Sequence, residues 1–247
     1  MLVAAIQMKP VFKDKMGNLR TMAKLTREAA DKGAKLIVFP ELATTGYTFE
    51  SELDAGAHAE VLSGASGTMT AMKVLAQTFM AHLVWGMVEK DAGTGDLYNS
   101  QVLMSPDGTW ISYRKINRCG ADYLWAREGR ANPPIIGIPD GARTRKVGLL
   151  ICRDIRDKRD SKWSDFYESG DADIIAFSAA WGRGFIPANA WMDFVEDNNT
   201  TLVVSNRYGQ EGPSDFGLGG TCIIQPPDKV SIAGLVWGQD CIVLAEV

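Results

Sequence analysis

Three side chains with complementary chemistry each follow directly on a strand-like segment. Glu41 follows KLIVFP, Lys115 follows TWISYR, and Cys152 follows VGLLI. A thiol attacks carbonyl carbon only as its thiolate, so it needs a base and a nearby positive charge. A glutamate and a lysine supply both without a histidine. The three residues lie 74 and 37 positions apart, so only the fold can bring them together. In α/β sheets, loops beyond the carboxyl ends of strands converge on one crevice, which is where all three would sit. Singly, each has a plainer reading: a solvated loop acid, a surface lysine, a small buried hydrophobe. Their combination points to thiol chemistry.

The remaining composition narrows the alternatives. The two histidines, His58 and His82, lie in a small-residue stretch and just before an apolar strand. They are expected at the surface or a sheet edge rather than as the base of a serine or cysteine triad. The four cysteines, Cys119, Cys152, Cys222 and Cys241, have no CxxC spacing, so neither a metal site nor a disulfide framework is expected. No GxGxxG, P-loop, EF-hand or GxSxG motif is present, and no cofactor is expected. With 26 basic against 30 acidic residues, a nucleic-acid partner is disfavoured. The N-terminus MLVAAIQMKP lacks signal-peptide character and no apolar run is long enough to cross a bilayer. The expectation is no membrane partner and a cytoplasmic location.

The elements that must position these residues alternate along 247 residues, 46% of them apolar. Strands are expected at 2–8, 35–39, 82–88, 97–104, 109–114, 146–151, 173–178 and 201–206. Helices are expected at about 18–32, capped by Asn18, and at 68–81, 160–170 and 187–199. Residues 116–134 read as one long irregular stretch and 209–220 as a glycine-rich loop. TCIIQ, VSIAGLVW and CIVLAEV complete the chain as meandering strands. Without repeats or linkers, the pattern predicts one mixed α/β domain over 1–247, with two sheets covered by helices.

PELATTGY (40–47), YRK (113–115) and GLLICRDIR (148–156) together resemble the three signature segments of the nitrilase superfamily, the carbon–nitrogen hydrolases. SAAW (178–181), WMDFVEDNNTTLVVSN (191–206) and GGTCIIQPPD (219–228) are similar to later family segments in the same order. The resemblance implies a four-layer α-β-β-α sandwich. It implies Cys152 as nucleophile, Glu41 as general base and Lys115 as the cation facing the oxyanion, with the backbone N–H of Arg153 as a second donor. A second acid commonly follows the lysine, and Asp122 or Glu128 can fill that role, Asp122 being preferred. Where the family often has an aromatic residue after the cysteine, this chain has Arg153, and Asp157-Lys158-Arg159 replaces an aromatic-Pro-Glu run. Arg156 matches the usual family arginine, and Asp160 or Ser161 could cap the next helix in place of the proline. Arg153 is expected to favour the thiolate and, with Trp181, to contact substrate; Arg183, Arg207 and Tyr208 are further wall candidates. The implied substrate is a small amide or carbamoyl compound, with a nitrile as the third possibility. Family members commonly extend past the last strand with a tail that joins subunits, whereas this chain stops at Val247. A homodimer or higher homo-oligomer is expected from the resemblance.

Overall fold

The computed structural model describes residues 1–155, 171–182, 187–226 and 237–247. The chain opens with β1 (Leu2–Gln7), α1 (Lys15–Asp31) and β2 (Leu36–Val38). The short α2 (Glu52–Gly56) and α3 (Gly67–Phe79) precede β3 (His82–Lys90), β4 (Leu97–Met104) and β5 (Trp110–Arg114). After α4 (Asp122–Trp125) come β6 (Ile135–Asp140), β7 (Arg143–Ile151) and a tight 3-10 turn, Cys152–Asp154. Then follow β8 (Ile174–Ala179), α5 (Asn189–Asn198) and β9 (Thr201–Asn206). A small hairpin of β10 (Gln210–Glu211) and β11 (Ser214–Asp215) leads to β12 (Cys222–Ile224) and β13 (Cys241–Glu246).

Besides the β10/β11 hairpin, two large sheets form among the described residues, in the orders β13-β1-β2-β3-β4-β5 and β12-β9-β8-β7-β6. Strand periodicity decides what lies between and outside them. Val3 and Ala5 of β1, with Leu36 and Val38 of β2, meet Val147, Leu149, Ile174 and Ala176 of the second sheet in a shared apolar layer. The alternate residues Ala4, Ile6 and Ile37 turn outward beneath Met22 and Leu25 of α1 and Met72 of α3. On the other side, Ile175 and Phe177 pack under Trp191 and Val195 of α5. The layers run α-β-β-α, as the resemblance implied.

The parallel pairs β1/β2/β3 and β7/β8/β9 place the carboxyl ends of β2 and β7 beside loops that carry chemistry. Several local expectations are corrected. Helix α1 starts earlier, at Lys15, because Asp14 accepts the N–H of Gly17 at 2.9 Å. Asn18 is therefore not the cap; buried inside the first turn, it accepts from Val11 N at 2.7 Å and donates to the carbonyls of Val11 and Thr44. The irregular stretch at 116–134 contains α4, and the glycine-rich loop contains the β10/β11 hairpin. Strand β6 went unread because IIGIPD carries Gly137 and Pro139, which an edge strand tolerates. The expected helix at 160–170 and nearly all of VSIAGLVW lie outside the described residues, as do Arg156, Asp157, Lys158, Arg159, Asp160, Ser161 and Arg183.

Candidate active site

Glu41 stands three residues beyond β2, on a segment pressed against β3. The contact is so close that a Cβ on Gly86 would lie 2.3 Å from the backbone nitrogen of Leu42 and 2.8 Å from the Cα of Glu41. Leu42 itself has φ +49°, a left-handed conformation that turns the chain immediately after the carboxylate. Lys115 follows β5, and its N–H bonds the carbonyl of Asn99 on β4. Gly129 then donates to the Lys115 carbonyl at 2.9 Å and closes the loop that carries α4. Cys152 follows β7 at φ +42°, another left-handed non-glycine residue, held at the start of the 3-10 turn. Such backbone costs on the order of 1–3 kcal/mol and persists only where the surroundings fix it.

The side chains meet in the interior. Lys115 Nζ donates to Glu41 Oε1 and to Asp122 Oδ2, both at 2.6 Å, and all three residues are essentially inaccessible to solvent. Asn99 Nδ2 bridges the two acids, donating to Glu41 Oε1 at 2.7 Å and Asp122 Oδ1 at 3.0 Å. The backbone N–H of Cys119 completes the shell of Asp122 at 3.0 Å, and the Tyr47 hydroxyl donates to the Cys119 carbonyl. Glu41 Oε2 has no partner among the described residues. Of the three ammonium protons of Lys115, these bonds use two.

Burial opposes the charge of Lys115, but Asp122 and Glu41 outweigh it and hold the ammonium well above an ordinary lysine. Cys152 behaves oppositely: burial first and the charge of Glu41 second push its thiol well above the ordinary value, against Lys115 and the backbone N–H of Ala180. The resting thiol is therefore protonated at neutral pH, and attack requires a base. That corrects the expectation for Arg153: its side chain is exposed while Cys152 and Asp154 on either side are buried, and the thiol is not held as thiolate.

Asp122, not Glu128, meets Lys115; opening α4 carries its shorter side chain into reach, whereas Glu128 is exposed in a surface groove with Arg118 and Arg130. Trp181 is half-buried at the end of β8, 5.3 Å from the ring of Trp191. Arg207 is fully buried, paired with Glu211 and stacked 4.1 Å from the Phe216 ring. Glu211 in turn accepts the N–H groups of Tyr47 and Thr48, which pins the segment after Glu41. Tyr208 points elsewhere, to Asp240 at 3.0 Å. Neither histidine bonds to this cluster, and no group of metal-binding side chains occurs among the described residues. Sequence reasoning missed Asn99, whose only signal is an amide within the mainly apolar strand LYNSQVLM.

Comparison with known proteins identifies the family and the fold. The profile of the carbon–nitrogen hydrolase family matches residues 2–247. A protein named nitrilase from Pyrococcus abyssi is 30% identical over 234 residues, spanning 92% of this chain and 82% of its own length. An omega-amidase from Danio rerio is 27% identical over 258 residues, covering 99% of this chain and 87% of itself. The fold matches a solved variant of the amidase from Nesterenkonia sp. AN1, whose active-site cysteine carries the acetamide moiety of fluoroacetamide. That match has a TM-score of 0.83 at 21% identity and covers 100% of this chain and 90% of the other. With nearly its whole length matched, the chain belongs to the carbon–nitrogen hydrolase family of the nitrilase superfamily.

Proposed function

We propose that the protein is an amidase, hydrolysing a small non-peptide amide to a carboxylic acid and ammonia through a thioester on Cys152. The observation that carries this reading is the buried chain Asp122–Lys115–Glu41 within electrostatic reach of a protonated thiol. Glu41, through its unpartnered Oε2, takes the thiol proton as sulfur bonds to the carbonyl carbon. The carbonyl pair moves to oxygen, where the remaining Lys115 proton and the Arg153 backbone N–H meet the negative charge. Collapse of this intermediate breaks the C–N bond, and Glu41 returns the proton to the departing nitrogen. Water, deprotonated by Glu41, then attacks the thioester; the sulfur leaves and regains its proton. Asp122 touches no reacting atom and holds Lys115 charged and oriented. Trp181 and the exposed Arg153 would meet the substrate at the mouth of the site, and a homodimer is the expected assembly.

A nitrile uses the same thiol chemistry, and the name of the Pyrococcus abyssi relative supports including it. The deciding measurement is ammonia release across small amides, carbamoyl amino acids and nitriles, with mass spectrometry for an acyl group on Cys152. Amides are expected to turn over and Cys152→Ala to abolish release. A Cys152→Ala variant as active as the native protein rejects the mechanism. No turnover of any substrate, with no acyl adduct, favours a binding protein that keeps the fold.

A further inference from the structure

We infer that Asp154, which the proposed reaction does not use, is a positioning residue that fixes Cys152 relative to Lys115. The inference rests on the Cys–Glu–Lys reading above and deepens it. Asp154 is buried, and its carboxylate collects three donors from two segments. Oδ2 accepts the Tyr113 hydroxyl at 2.8 Å and the Ile151 N–H at 3.3 Å, while Oδ1 accepts the Asn117 N–H at 3.0 Å. Tyr113 and Asn117 stand two residues before and two residues after Lys115; Ile151 and Asp154 bracket Cys152. One side chain therefore clamps both flanks of the lysine to both flanks of the thiol.

The clamp also joins the two sheets, since β5 belongs to the six-stranded one and β7 to the five-stranded one. A misplacement of about 1 Å between reacting groups can cost on the order of a hundredfold in rate. A carboxylate is an expensive way to fill such a space. Burial raises the Asp154 pKa to about 7, against the opposing charge of Lys115, the Tyr113 hydroxyl and the N–H groups of Asn117 and Ile151. Among the described residues, the titratable groups acting on it include Lys115 and Tyr113, both from the β5 side. Once protonated, the carboxyl turns one of its acceptors into a donor facing donors, and the clamp loosens as pH falls through about 7.

The test is kcat and KM for a small amide between roughly pH 5 and 9, with thermal melts, for the native protein, Asp154→Asn, Tyr113→Phe and Cys152→Ala. Asp154→Asn is expected to lower kcat about 10- to 100-fold with KM within about threefold. Its melting temperature at pH 8 should hold or rise, because a buried charge has been removed, and the acid limb of kcat near pH 7 should vanish. Tyr113→Phe removes one bond to the carboxylate and should move that limb to higher pH. It decides the matter even if Asp154→Asn fails to fold. A kcat in Asp154→Asn within twofold of native, or an unmoved acid limb in Tyr113→Phe, overturns the positioning role. Activity surviving in Cys152→Ala instead overturns the underlying mechanism, so the two failures are distinguishable.

Discussion

Lys115 keeps its charge in a solvent-free site only because two carboxylates share it. Replacing Asp122 by asparagine removes one of them and leaves burial to pull the ammonium pKa down. Activity is expected to fall about 10- to 100-fold, and the alkaline limb of its pH profile to move to lower pH. The stability sign follows the same way. With its folded pKa raised, Lys115 contributes stability that is fully present below its unfolded pKa of about 10.4 and fades as pH rises through the folded value. Native urea midpoints should thus show no loss from this group up to about pH 10, and Asp122→Asn should lose stability earlier. An alkaline limb that stays in place would count against the pairing. At this scale Glu41, Lys115 and Cys152 were legible because a charged or nucleophilic residue directly after an apolar strand is chemically distinctive. Asn99 and Asp154 were not, since an amide or acid near a strand reads the same whether it is solvated or buried among donors. Arg153 shows the converse: its neighbour in sequence is the thiol, but adjacent residues in a tight turn point different ways.

Elements hold the carboxylate as firmly as its bonds do. Strand β3 has no room for a side chain at Gly86, where the obstructing atoms are the backbone of Glu41 and Leu42 rather than a flexible tip. Gly86→Ala is expected to destabilise the fold by about 1–3 kcal/mol and to lower kcat by roughly tenfold or more, as Glu41 is displaced from Lys115. A melt and a rate measured on the same sample check both. The opposite side of the segment is held by Glu211, whose carboxylate accepts from Tyr47 and Thr48 and pairs with the buried Arg207. Burial already lowers the Arg207 pKa against the pull of Glu211, so Glu211→Gln strands a guanidinium and should cost about 3–5 kcal/mol in chemical denaturation. Most strands were legible from their apolar runs, and β4 and β9 match their expected bounds. The start of α1, the edge strand β6 and the four-residue α4 were not. Strand β6 and α4 depend on partners distant along the chain, the pairing with β7 and the hold of Lys115 on Asp122, whereas α1 starts where the Asp14 carboxylate caps Gly17.

On the scale of the molecule, the candidate site belongs to neither sheet alone. Glu41 and Lys115 extend from the six-stranded sheet and Cys152 from the five-stranded one, so their spacing is the spacing of two layers. The apolar residues between the sheets supply cohesion but little directionality. Directionality comes from polar stitches that sequence periodicity cannot reveal. Gln101 on β4 donates to the Ala176 carbonyl at 3.0 Å and to Ser178 Oγ at 2.8 Å, and the Ser178 hydroxyl donates to the carbonyl of Phe39 at 2.7 Å. Ser178 pairs in register with Ile151, the residue before Cys152, while Phe39 lies two residues before Glu41. The stitch therefore connects the roots of base and nucleophile. Ser178→Ala leaves the Phe39 carbonyl buried without this donor and should cost about 1–3 kcal/mol. In a chain of this size that corresponds to a melting decrease of roughly 2–4 °C per kcal/mol. If the layers act as one unit, amidase activity and tryptophan fluorescence will be lost at the same urea concentration in the native protein, and both midpoints will fall together in Ser178→Ala. Activity disappearing well before fluorescence in the variant alone would mean that the sheets slip past each other while each stays folded, and that this stitch, rather than the apolar layer, sets the register of the site.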